Sequence, residues 1–187
     1  MTKHFLFCGP SGSGKTSIVK YLLAKYHFMR FSISATTRPK RAHETEGQDY
    51  YFMTIENFRN HIEQNHFVEW EQVYEGRYYG TLKSEIERIE AINCSVVFDV
   101  DVEGGLKIKQ HFGSNLLAVF IRPPSAEDLR ERLIARNTET AESLEIRLNK
   151  SIKELEYENR FDNIIINDDL EQSCLKAEVL VNTFLSH

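Results

Sequence analysis

Phe5-Leu-Phe-Cys8-Gly9-Pro-Ser-Gly-Ser-Gly14-Lys15-Thr16 is the stretch that decides how this chain is read. Its four leading apolar residues fit a strand buried on both faces, and Gly9-Pro10 ends that strand. From Lys15 to Tyr26 helix formers take over, with Ile18, Val19, Leu22 and Leu23 at helical spacing. The residues between match G-x-x-x-x-G-K-[ST]. Glycines there let backbone N–H groups curl around phosphate oxygens, and the helix N-terminus adds donors and the positive end of a dipole. Lys15 has the length to reach the outer phosphates of a nucleotide, and Thr16 offers a hydroxyl to Mg²⁺. Gly9, Ser11, Gly12, Ser13, Gly14, Lys15 and Thr16 are therefore candidate nucleotide-binding residues. The same cradle serves GTPases, motor ATPases and kinases, so it does not name the reaction.

Further along, Ser95–Val100, Leu116–Ile121 and Asn163–Ile166 repeat the short continuous apolar run. Helical patterns follow or separate them at Glu103–His111, Ala126–Arg136, Glu142–Asn159 and Leu170–Leu185. Buried strands alternating with helices predict an α/β fold of three layers, α/β/α, around a central parallel sheet. Residues 32–83 differ: short alternating pieces rich in Tyr, Phe, Thr and charge, with one helix near Ile55–Gln64. They predict a small mixed α/β lobe lining a cleft. Residues 1–31 and 84–187 then form the core of a single domain, and about 126–150 a helical lid.

With 187 residues, 41% hydrophobic and 27% charged, the chain is long enough to bury one core without staples. A net charge of −5 argues against a protein built to grip a nucleic-acid backbone. Cys8, Cys94 and Cys174 show neither a disulfide framework nor metal-ligand spacing, so they read as reduced and buried. The apolar run at the start is too short for a signal peptide or a membrane span, and the expectation is a cytoplasmic protein away from membranes.

Asp99 and Asp101 close the apolar strand Val96–Val100, two apart and so on one face of an extended chain. Beside a phosphate loop, Asp99 is the carboxylate expected on the Mg²⁺ side with Thr16. Arg38 and Arg41 stand three apart among hydroxyls in Ser34-Ala-Thr-Thr-Arg38-Pro-Lys-Arg41, suited to a phosphate dianion, with Tyr50, Tyr51, Tyr78 and Tyr79 further on. In Phe67-Val-Glu69-Trp70 a carboxylate sits inside an apolar run. An outward-facing acid is the ordinary reading; a buried one would accept from two adjacent donors, which guanine offers and adenine does not.

Taken in order, these pieces resemble the guanylate kinase family nearly end to end. The resemblance rests on the phosphate loop, Ser34-Ala-Thr-Thr-Arg38, Arg41 with Glu44, Gly47-Gln-Asp-Tyr50-Tyr-Phe52, and Phe67-Val-Glu-Trp70. Tyr79-Gly-Thr81, Asp99-Val-Asp101, Arg136 with Thr138-Glu, Arg147-Leu148 and Asn167-Asp-Asp-Leu170 continue it. It implies an enzyme moving the γ-phosphoryl of ATP, with Mg²⁺, onto GMP. By resemblance Ser34 and Thr81 meet guanine O6, and Glu69 and Asp101 meet N1 and N2. Arg38, Arg41, Tyr50 and Tyr79 hold the GMP phosphate. Lys15, Arg136 and Arg147 surround the transferring group with Arg38 nearby, Asn167 lies near adenine, and Glu44 orients a neighbour, either the metal or the arginine pair. Asn137 and His43 stand where the family usually has Gly, Pro39-Lys40 reorders the usual arginine pattern, and Glu103 replaces a usual Gln. Two other readings fit parts of this pattern: a phosphopeptide-binding relative without chemistry, and a kinase for another monophosphate. The complete phosphate loop speaks against the first; Glu69, Asp101 and Thr81 together speak against the second. A monomer and a homodimer are both compatible with the sequence.

Overall fold

The apolar run around Phe5 becomes the middle strand of a five-stranded, fully parallel sheet in a computed structural model that describes residues 2–135 and 141–187. β1 (His4–Cys8) lies between β7 (Ser95–Val100) and β8 (Leu116–Arg122). β2 (Met29–Phe31) pairs outside β7, and β9 (Asn163–Ile166) outside β8. Every residue of β1 is buried, which explains its unbroken apolar sequence. Phe5 and Phe7 face α1 (Lys15–Lys25) and α7 (Leu170–Ser186), packing with Ile18, Leu22, Ala177 and Val181. Leu6 and Cys8 face the opposite layer, α3 (Lys83–Glu90) and α4 (Val102–Phe112), with Ile86, Ile89, Val102 and Ile108. Each such large side chain contributes roughly 1.5–3 kcal/mol relative to exposure. The three predicted layers are present.

The second sheet has the order β4 (Tyr51–Phe52), β3 (Ala35–Thr36), β6 (Arg77–Leu82), β5 (Phe67–Tyr74). β3 and β4 run parallel; the other pairs are antiparallel. α2 (Ile55–Glu63) closes it, capped by Thr54, whose hydroxyl accepts from Asn57 N at 3.1 Å. Phe58 on α2 stacks on Phe67 with ring centroids 4.4 Å apart.

Two elements escaped the pattern search. β2 is only three residues with Arg30 at its centre, too short to show a period. In α3 the apolar residues Ile86 and Ile89 are joined on the buried side by an acid, Glu85, 2% exposed. Its carboxylate is satisfied by Arg88, Ile33 N and Tyr51, so it ties the small sheet to the core. The long helix expected over 142–159 is shorter: α6 runs Ala141–Leu155, and a 3₁₀ turn at Glu158–Arg160 redirects the chain so that Phe161 packs on Phe120. α5 spans Ala126–Ala135. All three cysteines are free and buried. Among the described residues no helix is long and apolar enough to cross a membrane.

Candidate active site

The phosphate loop joins β1 to α1 with a backbone only glycine fits at two points. Gly9 has φ +140°, and a Cβ there would run into Ile121 O of β8. Gly14, the N-cap of α1, has φ +94°, and a Cβ there would run into the Asn167 amide. Asn167, 4% exposed, donates through Nδ2 to Ser13 O at 2.8 Å, so it braces the loop from behind. Ser13 is fully buried, its hydroxyl without a hydrogen-bond partner among the described residues, and Gly12 is a third positive-φ glycine. Lys15 lies back along the loop, Nζ donating to Gly9 O at 2.8 Å and Pro10 O at 3.1 Å.

β1–β7 register brings the strand carboxylate to this loop: Phe7 pairs with Asp99, and Thr16 Oγ1 donates to Asp99 Oδ2 at 2.7 Å. Asp101 has a second task. β7 ends at Val100, and Asp101 is the N-cap of α4, its Oδ1 accepting from Gly104 N at 2.9 Å. Asp101 thus caps a helix just past the strand end, while its backbone stays extended and both acids line one cleft.

β5 inverts the hydropathy of its residues: Glu69 is 7% exposed and Trp70 39%. Glu69 Oε1 accepts from Thr81 Oγ1 at 2.7 Å, and its Oε2 would sit 3.0 Å from a Cβ at position 104, so α4 approaches closely only because Gly104 has none. Burial pushes the Glu69 carboxyl up to about 7, against the opposing Thr81 bond. Thr81 is fully buried and its single hydroxyl proton is committed to Glu69.

Arg38 forms a two-pronged pair with Glu44, Nη1 to Oε2 at 2.9 Å and Nη2 to Oε1 at 2.7 Å, while Arg41 N donates to Oε2 at 2.7 Å. Glu44 thus holds the Arg38 guanidinium and the backbone amide of Arg41. Arg38 holds its carboxyl at about 2. The guanidinium lies 5.2 Å over the Tyr50 ring, which meets Tyr79 edge-on at 6.0 Å. Burial keeps the Tyr50 phenol above its ordinary value, hence a donor at neutral pH. The Arg41 side chain is exposed.

One cleft of about 350 Å³ collects Gly9, Ser11, Lys15, Ser34, Tyr50, Glu69, Tyr79, Asp99 and Asp101 on its walls. Arg38 packs behind Tyr50, Thr81 behind Glu69, and Asn167 behind the loop. Arg136 lies outside the described residues; Arg147 belongs to α6, its side chain outside the described part. The sequence reading missed Glu71, Lys150, Ser151 and Glu154, which also line the cleft. Two spacings could have found them: Glu71 stands two after Glu69 on a strand, and 147, 150, 151 and 154 recur at helical period. Burial pushes Glu154 up to about 7.

A glycine-rich loop of the phosphate-binding kind on one wall and a buried carboxylate on the other thus share a single cleft. The family described as guanylate kinase matches residues 1–183. Guanylate kinase of Bacteroides fragilis is 47% identical over 183 residues, spanning 98% of this chain and 90% of its own. That of Porphyromonas gingivalis is 48% identical over 171 residues, 91% of each chain. The crystal structure of guanylate kinase from Anaplasma phagocytophilum superposes with a TM-score of 0.75 at 24% identity, over 97% of this chain and 85% of that one, a likeness of fold. The chain belongs to the guanylate kinase family.

Proposed function

We propose that the chain transfers the γ-phosphoryl group of ATP to GMP, giving ADP and GDP, and takes dGMP through the same base contacts. The observation that carries this is the buried Glu69 carboxylate facing the cleft that also opens onto the phosphate loop. Guanine presents two neighbouring donors, N1–H and the N2 amine, to Glu69 and Asp101. Adenine presents one donor and one acceptor, which would leave a desolvated acid unpaired. Ser34 is the donor for O6; Thr81 acts through Glu69, whose position it sets.

The acceptor phosphate is held by Arg38, Arg41, Tyr50 and Tyr79, with Glu44 fixing the Arg38 fork in advance so that little side-chain freedom is lost on binding. Backbone amides of Gly9, Ser11, Gly12, Ser13 and Gly14 cradle the donor phosphates, Lys15 reaches the transferring group, and Asn167 supports the loop beside the adenine side. The lobe at 32–83 carries the acceptor, and the lid at about 126–150 brings Arg136 and Arg147 onto the phosphoryl group. Thr16 and Asp99 put a hydroxyl and a carboxylate together at the loop's edge, an oxygen donor pair that suits Mg²⁺. When bound there, Mg²⁺ supplies neutralisation of charge on the outer phosphate oxygens. The acceptor phosphate is already a nucleophile, so positioning and charge carry the step without a general base. We place the enzyme in the cytoplasm, as a monomer or homodimer.

A coupled assay with ATP and each of GMP, AMP, CMP and UMP tests this. Turnover with GMP should exceed the others by at least about a hundredfold. Equal use of AMP overturns the base assignment, and GMP binding without ADP formation overturns the reaction.

A further inference from the structure

Glu71, Lys150 and Glu154 are cleft groups to which the reaction above gives no part. Lys150 Nζ lies 3.3 Å from Glu71 Oε1 and 3.3 Å from Asp101 Oδ2, with Glu154 Oε1 at 3.9 Å. These groups come from three separate places: Glu71 from β5 of the mixed sheet, Asp101 from the cap of α4, Lys150 and Glu154 from α6. One ammonium therefore ties the small sheet, the core and α6 together. Asp101 is gripped at both oxygens, Oδ1 by Gly104 N and Oδ2 by Lys150.

Glu71 Oε2 is buried and has no hydrogen-bond partner among the described residues. Its other oxygen, Oε1, takes the same ammonium that holds Asp101 Oδ2.

We propose that Glu71 and Lys150 are positioning residues for the acceptor base: they fix the Asp101 carboxylate in the cleft, and Lys150 thereby links α6, the helix that carries Arg147, to recognition of the base. This rests on the reading of the cleft as a GMP site. The Lys150 side chain is 38% exposed, and a half-exposed ion pair adds little to fold stability. Its effect lies in orientation, which separates it from a bland surface charge: GMP binding should move while thermal stability does not.

The test is GMP affinity by calorimetry, with turnover and melting temperature measured alongside, on the full chain. Lys150→Glu sets another carboxylate against Asp101 and should weaken GMP binding at least about tenfold, with KM for ATP changed less than about twofold. Glu71→Lys with Lys150→Glu returns a cation to Asp101 and should recover GMP affinity to within about threefold of the parent. In an Asp101→Asn background the carboxylate to be held is gone, and Lys150→Met should change GMP affinity no further; in the parent it should weaken it about threefold or more. Unchanged affinity in both Lys150 variants overturns the proposal, as does a double exchange no better than the worse single change. Full additivity of Lys150→Met with Asp101→Asn also overturns it. A parent chain that binds GMP but forms no GDP refutes the reaction and leaves this cycle readable; one that does not bind GMP refutes both.

Discussion

Thr81 and Glu69 are register partners across β5 and β6, and the Thr81 hydroxyl donates to the Glu69 carboxylate at 2.7 Å beneath the cleft. Burial raises that carboxyl to about 7, so the folded chain keeps a proton there that an unfolded glutamate releases near 4.5. Between those values the folded state binds more protons than the unfolded one, so stability falls as pH rises through the window and stays lower above it. Glu69→Gln should therefore melt higher at pH 8, by roughly 1–3 kcal/mol of stability, while GMP turnover drops about a hundredfold or more. Paired melting and turnover measurements check this; a variant as active as the parent would reduce Glu69 to a structural acid.

In the parent, GMP binding should weaken as pH drops below about 7, because a protonated Glu69 loses an acceptor; Asp101 and Lys107 are the charged groups that modulate it. The Arg38–Glu44 pair behaves oppositely. Glu44 is held at about 2, so its contribution is present above 4.5 and lost only as pH falls through about 2. Glu44→Gln should raise KM for GMP about tenfold with kcat little changed, and should keep the pH limb near 7. Glu69→Gln should abolish that limb. KM–pH profiles of both variants decide the assignment.

Gly14→Ala meets two obstacles, a positive φ and the buried Asn167 amide. ATP affinity should fall at least about tenfold and stability by about 1–3 kcal/mol. Adding Asn167→Ala removes the collision but not the φ strain, so calorimetry with ATP should show partial recovery only. Full recovery would mean that the backbone tolerates alanine there.

Lys15→Ala and Arg147→Ala should both lower kcat by at least about a hundredfold while leaving GMP affinity nearly unchanged, since charge at the transferring group acts mainly in the transition state. Single-turnover rates with separate GMP calorimetry test the pair. An Arg147→Ala chain that loses GMP binding and keeps its saturated rate would move Arg147 to the acceptor phosphate.

The phosphate loop and the parallel core were legible in the sequence because both are local codes. Glycine spacing sets a backbone path, and an unbroken apolar run needs burial on both faces wherever it lies. The same holds for Asn167 and Arg38 as members of a recognisable order, though not for what they touch. Glu69 beside Trp70 shows where local reading stops: by hydropathy the indole should be buried and the acid exposed, and the protein does the reverse. The face that β5 turns inward is decided by α4, which comes close enough at Gly104 to enclose a carboxylate and leaves Trp70 outside. An aspartate just ahead of a helical pattern can be read as a cap, but nothing near Asp101 in sequence announces that Lys150, 49 positions away, bonds its other oxygen. Side-chain direction and charge pairing between distant segments are set by how sheets and helices pack, and that information exists only once the chain has folded.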